Sequence, residues 1–290
     1  MIKDFKTYSL LPHNTFGIDV TAARYIDFPS EDDLLAFLEE PLKEPFLVIG
    51  GGSNLLFVND FKGIVLHSSI CDINIVEEND EDILLRVGSG VNWDFLVEYT
   101  VNNDWYGLEN LSLIPGEVGA SAVQNVGAYG VEAGDLIEAV EALSLYDGSK
   151  RIFTKSDCRY AYRNSVFKEE EKGKYIITYV TYRLKKSGEL KLSYGNIKDK
   201  VEELGGATLV NVRKAVCEIR SAKLPDPAII GSAGSFFYES GCYKGKGNGA
   251  CCRISQYAAI SRCKWREIIG RVAHRAVWVE KYSLSYCRCL

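Results

Sequence analysis

The chain has 290 residues, 47% hydrophobic and 25% charged, with a net charge of -5. That length accommodates two or three domains with real cores. The acidic balance argues against a nucleic-acid partner, and no apolar run approaches the roughly 18 residues of a membrane span. The opening MIKDFKTYSLLPHNTFG lacks a basic stretch followed by an apolar one, so no secretory leader is expected and the expected compartment is the cytosol. His13, His67 and His274 are far apart and near no cysteine pair, which leaves no expected metal site.

In chain order, residues 24–28 read as a short strand. Residues 31–40 read as a helix N-capped by Ser30, with acids in its first turn and Leu34, Leu35, Phe37 and Leu38 as its apolar stripe. Residues 46–49 form a short apolar strand, followed at once by Gly50-Gly51-Gly52-Ser53-Asn54, and residues 64–66 form another strand. Residues 73–76 and 83–87 pair across an acidic turn. Residues 91–101 read as an amphipathic helix with Trp93, Leu96, Val97 and Thr100 on one face. A long small-residue stretch, 113–130, comes next. Strands are expected at 139–146, before a turn at Asp147-Gly148, and at 176–184. A helix is expected at 212–223, ended by Pro225 and Pro227. The mixture of strand–helix–strand units with antiparallel pairs predicts an α+β architecture.

Two segments carry the chemistry. In the first, Gly50, Gly51, Gly52, Ser53 and Asn54 follow an apolar strand. Glycines let the backbone approach a ligand, and successive N–H groups can cradle a phosphate. The dinucleotide fingerprint is not met, because its last glycine position is Leu55 and LLFVND is not an amphipathic helix. Alone, this loop reads equally well as a tight turn. The second runs from Ile114 through Pro115, Gly116, Glu117, Val118, Gly119, Ala120, Ser121, Ala122, Val123, Gln124, Asn125, Val126, Gly127, Ala128 and Tyr129 to Gly130. So many small residues give up side-chain burial, which suits a flat ring or a pyrophosphate lying against backbone. A glycine-rich loop beneath a close helix crossing is the alternative.

These runs occur with Asn14-Thr15-Phe16-Gly17, Gly107-Leu108-Glu109-Asn110-Leu111, Tyr162-Arg163-Asn164-Ser165-Val166-Phe167, Lys223-Leu224-Pro225-Asp226-Pro227 and Gly234-Ser235-Phe236-Phe237. Together and in this order, over roughly four fifths of the chain, they resemble the UDP-N-acetylenolpyruvoylglucosamine reductase (UDP-N-acetylmuramate dehydrogenase) family, first subtype. The resemblance implies a two-subdomain FAD-binding fold of the vanillyl-alcohol-oxidase type: subdomain 1 at 1–66, subdomain 2 at 67–205 and a substrate domain from 206. It implies FAD as cofactor, NADPH as co-substrate, a UDP-sugar as substrate and a place in peptidoglycan precursor synthesis. A monomer is expected.

The FAD-binding residues implied are Gly50 to Asn54, Pro115, Gly116, Gly119, Ala120, Ser121, Gln124, Asn125, Gly127, Ala128, Tyr129 and Gly130. Hydride addition to an alkene conjugated with a carboxylate builds negative charge, which a cation in a dry pocket stabilises. Arg163 matches the family's catalytic arginine, and a guanidinium grips a carboxylate bidentately. Ser235 matches the serine that protonates the other carbon. A hydroxyl is a weak acid and needs that electrostatic setting. Tyr162, Tyr194 and Lys223 match positions around the substrate, Lys223 at its diphosphate.

After Phe237 the resemblance stops. The last 52 residues carry six of the nine cysteines and ten Lys/Arg against three Glu, with no proline or aspartate. The family's later segments, including the one with its catalytic glutamate, are absent as written. Tyr238-Glu239-Ser240-Gly241 can be encoded so that a neighbouring frame reads Met-Asn-Pro-Val. Residues 271–281 can be encoded so that it reads Gly-Trp-Leu-Ile-Glu-Gln-Cys-Gly-Trp-Lys, again family sequence. Residues 238–290 are therefore expected to be an out-of-frame translation of the third domain, leaving that domain incomplete, without an evolved core and with impaired catalysis. A cysteine-based metal or disulfide module lacks paired C-x-x-C spacing and suits a cytosolic chain poorly. A non-catalytic flavin-binding remnant and another FAD oxidoreductase of the same superfold are the competing functions. Members of that superfold often tether flavin through His or Cys, and neither occurs in the two loops.

Overall fold

The computed structural model describes residues 1–232. The Gly234-Ser235-Phe236-Phe237 segment, Ser235 with it, and the anomalous stretch 238–290 lie outside the described residues.

The first unit is a four-stranded sheet. Strands β1 (Lys3–Ser9) and β2 (Thr21–Phe28) are antiparallel. Helix α1 (Glu31–Leu38) follows, and the Ser30 hydroxyl accepts from the Asp33 N–H at 3.1 Å, as the capping pattern predicts. Strands β3 (Phe46–Ile49) and β4 (Phe61–Ser68) complete it in the order β1-β2-β4-β3, so β4 inserts between β2 and β3. β2, β4 and β3 run parallel. Their carboxyl ends therefore share one edge, where parallel α/β sheets place ligands, and Gly50 begins there.

The second unit is a five-stranded sheet. β5 (Ile73–Glu78) and β6 (Asp82–Gly88) pair antiparallel, as expected. Helix α2 (Trp93–Asn102) starts two residues later than its pattern suggests, because the Asn92 side chain accepts from the Phe95 N–H and serves as its cap. Trp93, Leu96, Val97 and Thr100 are all buried.

The small-residue stretch is not a continuous loop. It holds helix α3 (Val118–Gln124), ended by Asn125 in the left-handed conformation, then a minimal hairpin of β7 (Gly127–Ala128) and β8 (Val131–Glu132). Helix α4 (Ala133–Leu136), β9 (Ile137–Ser144), β10 (Lys150–Thr154), helix α5 (Lys155–Cys158) and β11 (Tyr175–Lys185) follow. The sheet order is β10-β9-β11-β6-β5. Its main core gathers Trp93, Leu96, Leu108, Val118, Phe153 and Tyr182. A second core joins the two units, with Ile26, Phe28 and Leu66 of the first packed with Leu143 and Ile176 of the second.

Helix α6 (Ile197–Glu203) and helix α7 (Leu209–Lys223) form a small layer with its own core of Ile197, Val201, Val212, Val216 and Ile219. Arg213 of α7 grips Asp94 of α2 through two bonds of 2.7 and 3.0 Å. That bidentate pair fixes the helix whose last residue is Lys223. Beyond it the chain returns to the first unit, where the Ser232 N–H donates to the Thr15 carbonyl.

Candidate flavin and substrate site

The N-terminal loop forms the floor of the site. Asn14 is buried, donates to the carbonyls of Leu10 (2.7 Å) and Ile18 (3.0 Å), and accepts from the Ile18 N–H (3.0 Å). The loop is thereby locked with the His13 carbonyl against Gly52. A Cβ on Gly52 would lie 1.8 Å from that oxygen, and Gly52 has φ +63°. Only glycine fits there.

The two small-residue segments meet face to face. A Cβ on Gly51 would touch the Gly116 Cα at 3.4 Å, and one on Gly50 would touch the Ala120 Cβ at 3.4 Å. The Ser53 hydroxyl donates to the Pro115 carbonyl at 3.1 Å. Among the described residues, the N–H groups of Gly51, Gly52, Ser53 and Asn54 donate to no protein acceptor. Four successive donors in a partly exposed glycine loop fit an anionic group such as a pyrophosphate. Gly130 has φ +78° and open space where a Cβ would be.

The other expected cofactor residues divide by role. Gly119 packs against Ser89, since a Cβ there would lie 2.8 Å from the Ser89 Cβ. The buried Ser121 hydroxyl donates to the Val118 carbonyl and bonds the Tyr182 hydroxyl at 2.9 Å. Asn125 accepts from the Gly134 N–H and donates to Glu132 and the Ala161 carbonyl. Gln124 accepts from the Lys168 ammonium at 3.2 Å. Ser121 and Asn125 thus hold the frame, whereas Gly50 to Ser53, Pro115, Gly116 and Ala120 line the meeting of the two loops. Ala128 and Tyr129 are half-buried on the hairpin.

Arg163 has φ +54°, a strained state for a bulky residue. Its guanidinium donates to the Gly127 carbonyl, reaches the Asn125 carbonyl at 3.5 Å, and lies 5.2 Å from the centre of the Tyr162 ring. A Cβ on Gly127 would sit 2.7 Å from Arg163 Nη1, so glycine there admits the guanidinium. Tyr194 stacks edge-on to Tyr129 at 5.9 Å. Asn110, fully buried, donates to the carbonyls of Tyr129 (3.1 Å) and Lys191 (2.8 Å), tying the hairpin to the segment that presents Tyr194. Lys223 is exposed one turn beyond Arg220. The hairpin is therefore where Arg163, Tyr129 and Tyr194 come together.

Sequence reasoning missed several groups. Arg220 donates to the Leu113 carbonyl at 3.2 Å and interacts with Tyr129; burial lowers its pKa. Glu109 is buried, its carboxyl pushed up by that burial, and accepts from the Gly107 N–H at 2.7 Å. Beneath the glycine loop, His67 lies between Asp27 (3.0 Å) and Glu117 (3.1 Å). Glu109 lies in the Gly107–Leu111 motif, though without an assigned role, and Glu117 stands out as a lone carboxylate amid small residues.

Residues 22–153 match the family model of an FAD binding domain. The chain is 52% identical over 231 residues to a UDP-N-acetylenolpyruvoylglucosamine reductase of Bacteroides fragilis, covering 79% of this chain and 69% of that protein. It is 48% identical to one of Porphyromonas gingivalis at the same coverage. Among solved structures, a UDP-N-acetylenolpyruvylglucosamine reductase from Thermus caldophilus superposes with a TM-score of 0.60 at 22% identity, over 83% of this chain and 75% of that one, a likeness of fold.

Proposed function

The chain belongs to the UDP-N-acetylenolpyruvoylglucosamine reductase family, and on that premise we propose that it reduces the enolpyruvyl group of a UDP-sugar with FAD held between residues 50–54 and 115–130 and NADPH as donor. The carrying observation is the facing pair of glycine segments with four successive backbone donors. Bound FAD supplies the hydride carrier that no amino-acid side chain provides.

The chain's own residues do the rest. Arg163 is the cation for the substrate carboxylate, where charge grows as hydride arrives. Two backbone carbonyls hold its guanidinium, so little reorganisation is needed during reaction. Ser235, as proton donor, completes the addition. Tyr162, Tyr194 and Lys223 bind the remainder of the substrate, with Arg220 and Lys223 on one helix suited to a diphosphate. Residues 1–66 and 67–205 act as the two flavin-binding parts, and residues from 206 begin the substrate domain.

Residues 238–290 do not supply the family's glutamate, so turnover is expected to be depressed while flavin binding persists. Loss of a positioned acid–base group costs about 10²–10⁴-fold. The test is NADPH consumption by the FAD-loaded full chain, with and without the UDP-enolpyruvyl sugar, beside the B. fragilis relative. Sugar-dependent consumption, slower than the relative by about that factor, is expected. Consumption indifferent to the sugar contradicts the substrate assignment, and a rate equal to the relative's contradicts the reading of the tail.

A further inference from the structure

His67 lies near the carboxyl end of β4, and each of its ring nitrogens faces a carboxylate. Nδ1 is 3.0 Å from Asp27 Oδ1 on β2, and Nε2 is 3.1 Å from Glu117 Oε1 at the N-cap of α3. Ionised carboxylates only accept, so both nitrogens must carry hydrogen, which is the imidazolium form. The ring spans the two units, with Asp27 in the first sheet and Glu117 at the mouth of the second small-residue segment. Glu117 Oε2 lies 3.1 Å from where a Cβ on Gly50 would be, and Oε1 lies 3.7 Å from the corresponding point at Gly51. The carboxylate thus sits against the glycine loop itself.

We propose that Asp27, His67 and Glu117 form an ionic clasp that positions the two flavin-binding segments against each other, with His67 acting as the cation. The proposal rests on the FAD assignment above, and the three are positioning residues: Glu117 lies in the second segment against Gly50, His67 bonds Glu117, and Asp27 holds His67 from β2.

Two carboxylates, Asp27 and Glu117, face the His67 ring, and other charged and titratable groups surround it. Lys3 reaches the second Asp27 oxygen at 3.1 Å. His13, 5.4 Å from the His67 ring, has its pKa lowered by burial and by the charge on His67 against an opposing pull from Asp27, and bonds the Tyr8 and Tyr25 hydroxyls. Tyr25 is pushed up by burial and by Asp27, and so remains a neutral phenol. The Cys71 thiol is raised by burial and by the charges of Glu117, Asp27 and Asp72. Burial pushes His67 down, but hydrogen bonds and charge from Asp27 and Glu117 outweigh it and carry it to about 9. Burial pushes Asp27 up, but hydrogen bonds from His67, Lys3 and Ser69 outweigh it and hold it at about 2.

A raised histidine contributes fully below its unfolded value of 6.5 and loses its contribution as pH climbs through about 9. A depressed carboxyl contributes above its unfolded value of 3.8 and fails only as pH falls through about 2. The clasp is therefore complete near pH 5–6 and opens on the alkaline side.

The test is FAD titration of the full-length apoprotein in four forms, wild type, H67Q, E117Q and the double variant, at about pH 6.5 and about pH 10. At the lower pH each single substitution is expected to weaken FAD binding about tenfold, and the double variant to bind no worse than either single one, as coupled residues do. The wild type should lose about tenfold on going to the higher pH, with H67Q nearly flat. The ¹⁵N resonances of His67 should report imidazolium at neutral pH. Wild-type affinity in both single variants, an additive double variant, a neutral His67 resonance, or an unchanged pH slope in H67Q each overturns the clasp. E117Q leaves the Asp27–His67 pair in place and decides the matter if H67Q does not fold. If the wild type takes up no FAD, the cofactor assignment fails by itself. The clasp is then judged by thermal unfolding, where the wild type must lose more stability than H67Q at alkaline pH.

Discussion

Gly52→Val is expected to abolish flavin retention, with FAD affinity falling at least about 100-fold and the melting temperature dropping with it. The new side chain would have to occupy the position of the His13 carbonyl, 1.8 Å from the ideal Cβ. A β-branched residue at φ +63° is strained as well. Asn14 locks the N-terminal loop through three hydrogen bonds, so the loop cannot retreat cheaply. Gly173→Ala separates the causes, because Gly173 has a comparable φ of +72° but open space around it. It should cost about 1 kcal/mol of stability and leave flavin binding intact. Equilibrium FAD titration and thermal unfolding of both variants give the comparison.

The second large effect is at Arg163. Arg163→Ala is expected to lower sugar-dependent NADPH consumption by a further 10²–10³-fold, about the loss on removing one positioned charge-stabilising donor. FAD content should barely change. Arg163→Lys should recover only part of the rate, since an ammonium keeps the charge but not the planar fork. The Gly127 and Asn125 carbonyls lose a donor in the alanine variant, which costs about 1–3 kcal/mol if either is left unsatisfied. A purely structural role would therefore lower stability and flavin content in parallel with rate. Retained flavin content with a collapsed rate distinguishes the catalytic role.

Much of this architecture is legible in local chemistry. Ser30 and the acids after it announce α1, four apolar residues announce β3, and the acidic turn announces the β5–β6 pair. β1 is different, because its side chains are almost all exposed and its existence depends on pairing with β2. α7 begins earlier than its apolar pattern because Thr208 caps it, accepting from the Asn211 N–H. α3 is obscured because its buried face includes Gly119, Ser121 and Ala122, which carry no hydrophobic period. In the site, the glycine loop stands out by composition, and the family resemblance supplies the roles expected of Arg163 and Tyr194. The Asp27–His67–Glu117 arrangement does not stand out, since its members lie 40 and 50 residues apart and meet only when two sheets pack. Asn110 does fall within the Gly107–Leu111 motif, but nothing local in that motif shows that it joins residue 129 to residue 191.

The central claim is that residues 50–54 and 115–130 build one bed for FAD. Titrating the full-length apoprotein with FAD, followed by quenching of flavin fluorescence and by the shift of its visible absorption, tests this most directly. Saturation at one FAD per folded chain is the predicted result. A chain with native circular dichroism that remains colourless and quenches no flavin would contradict it.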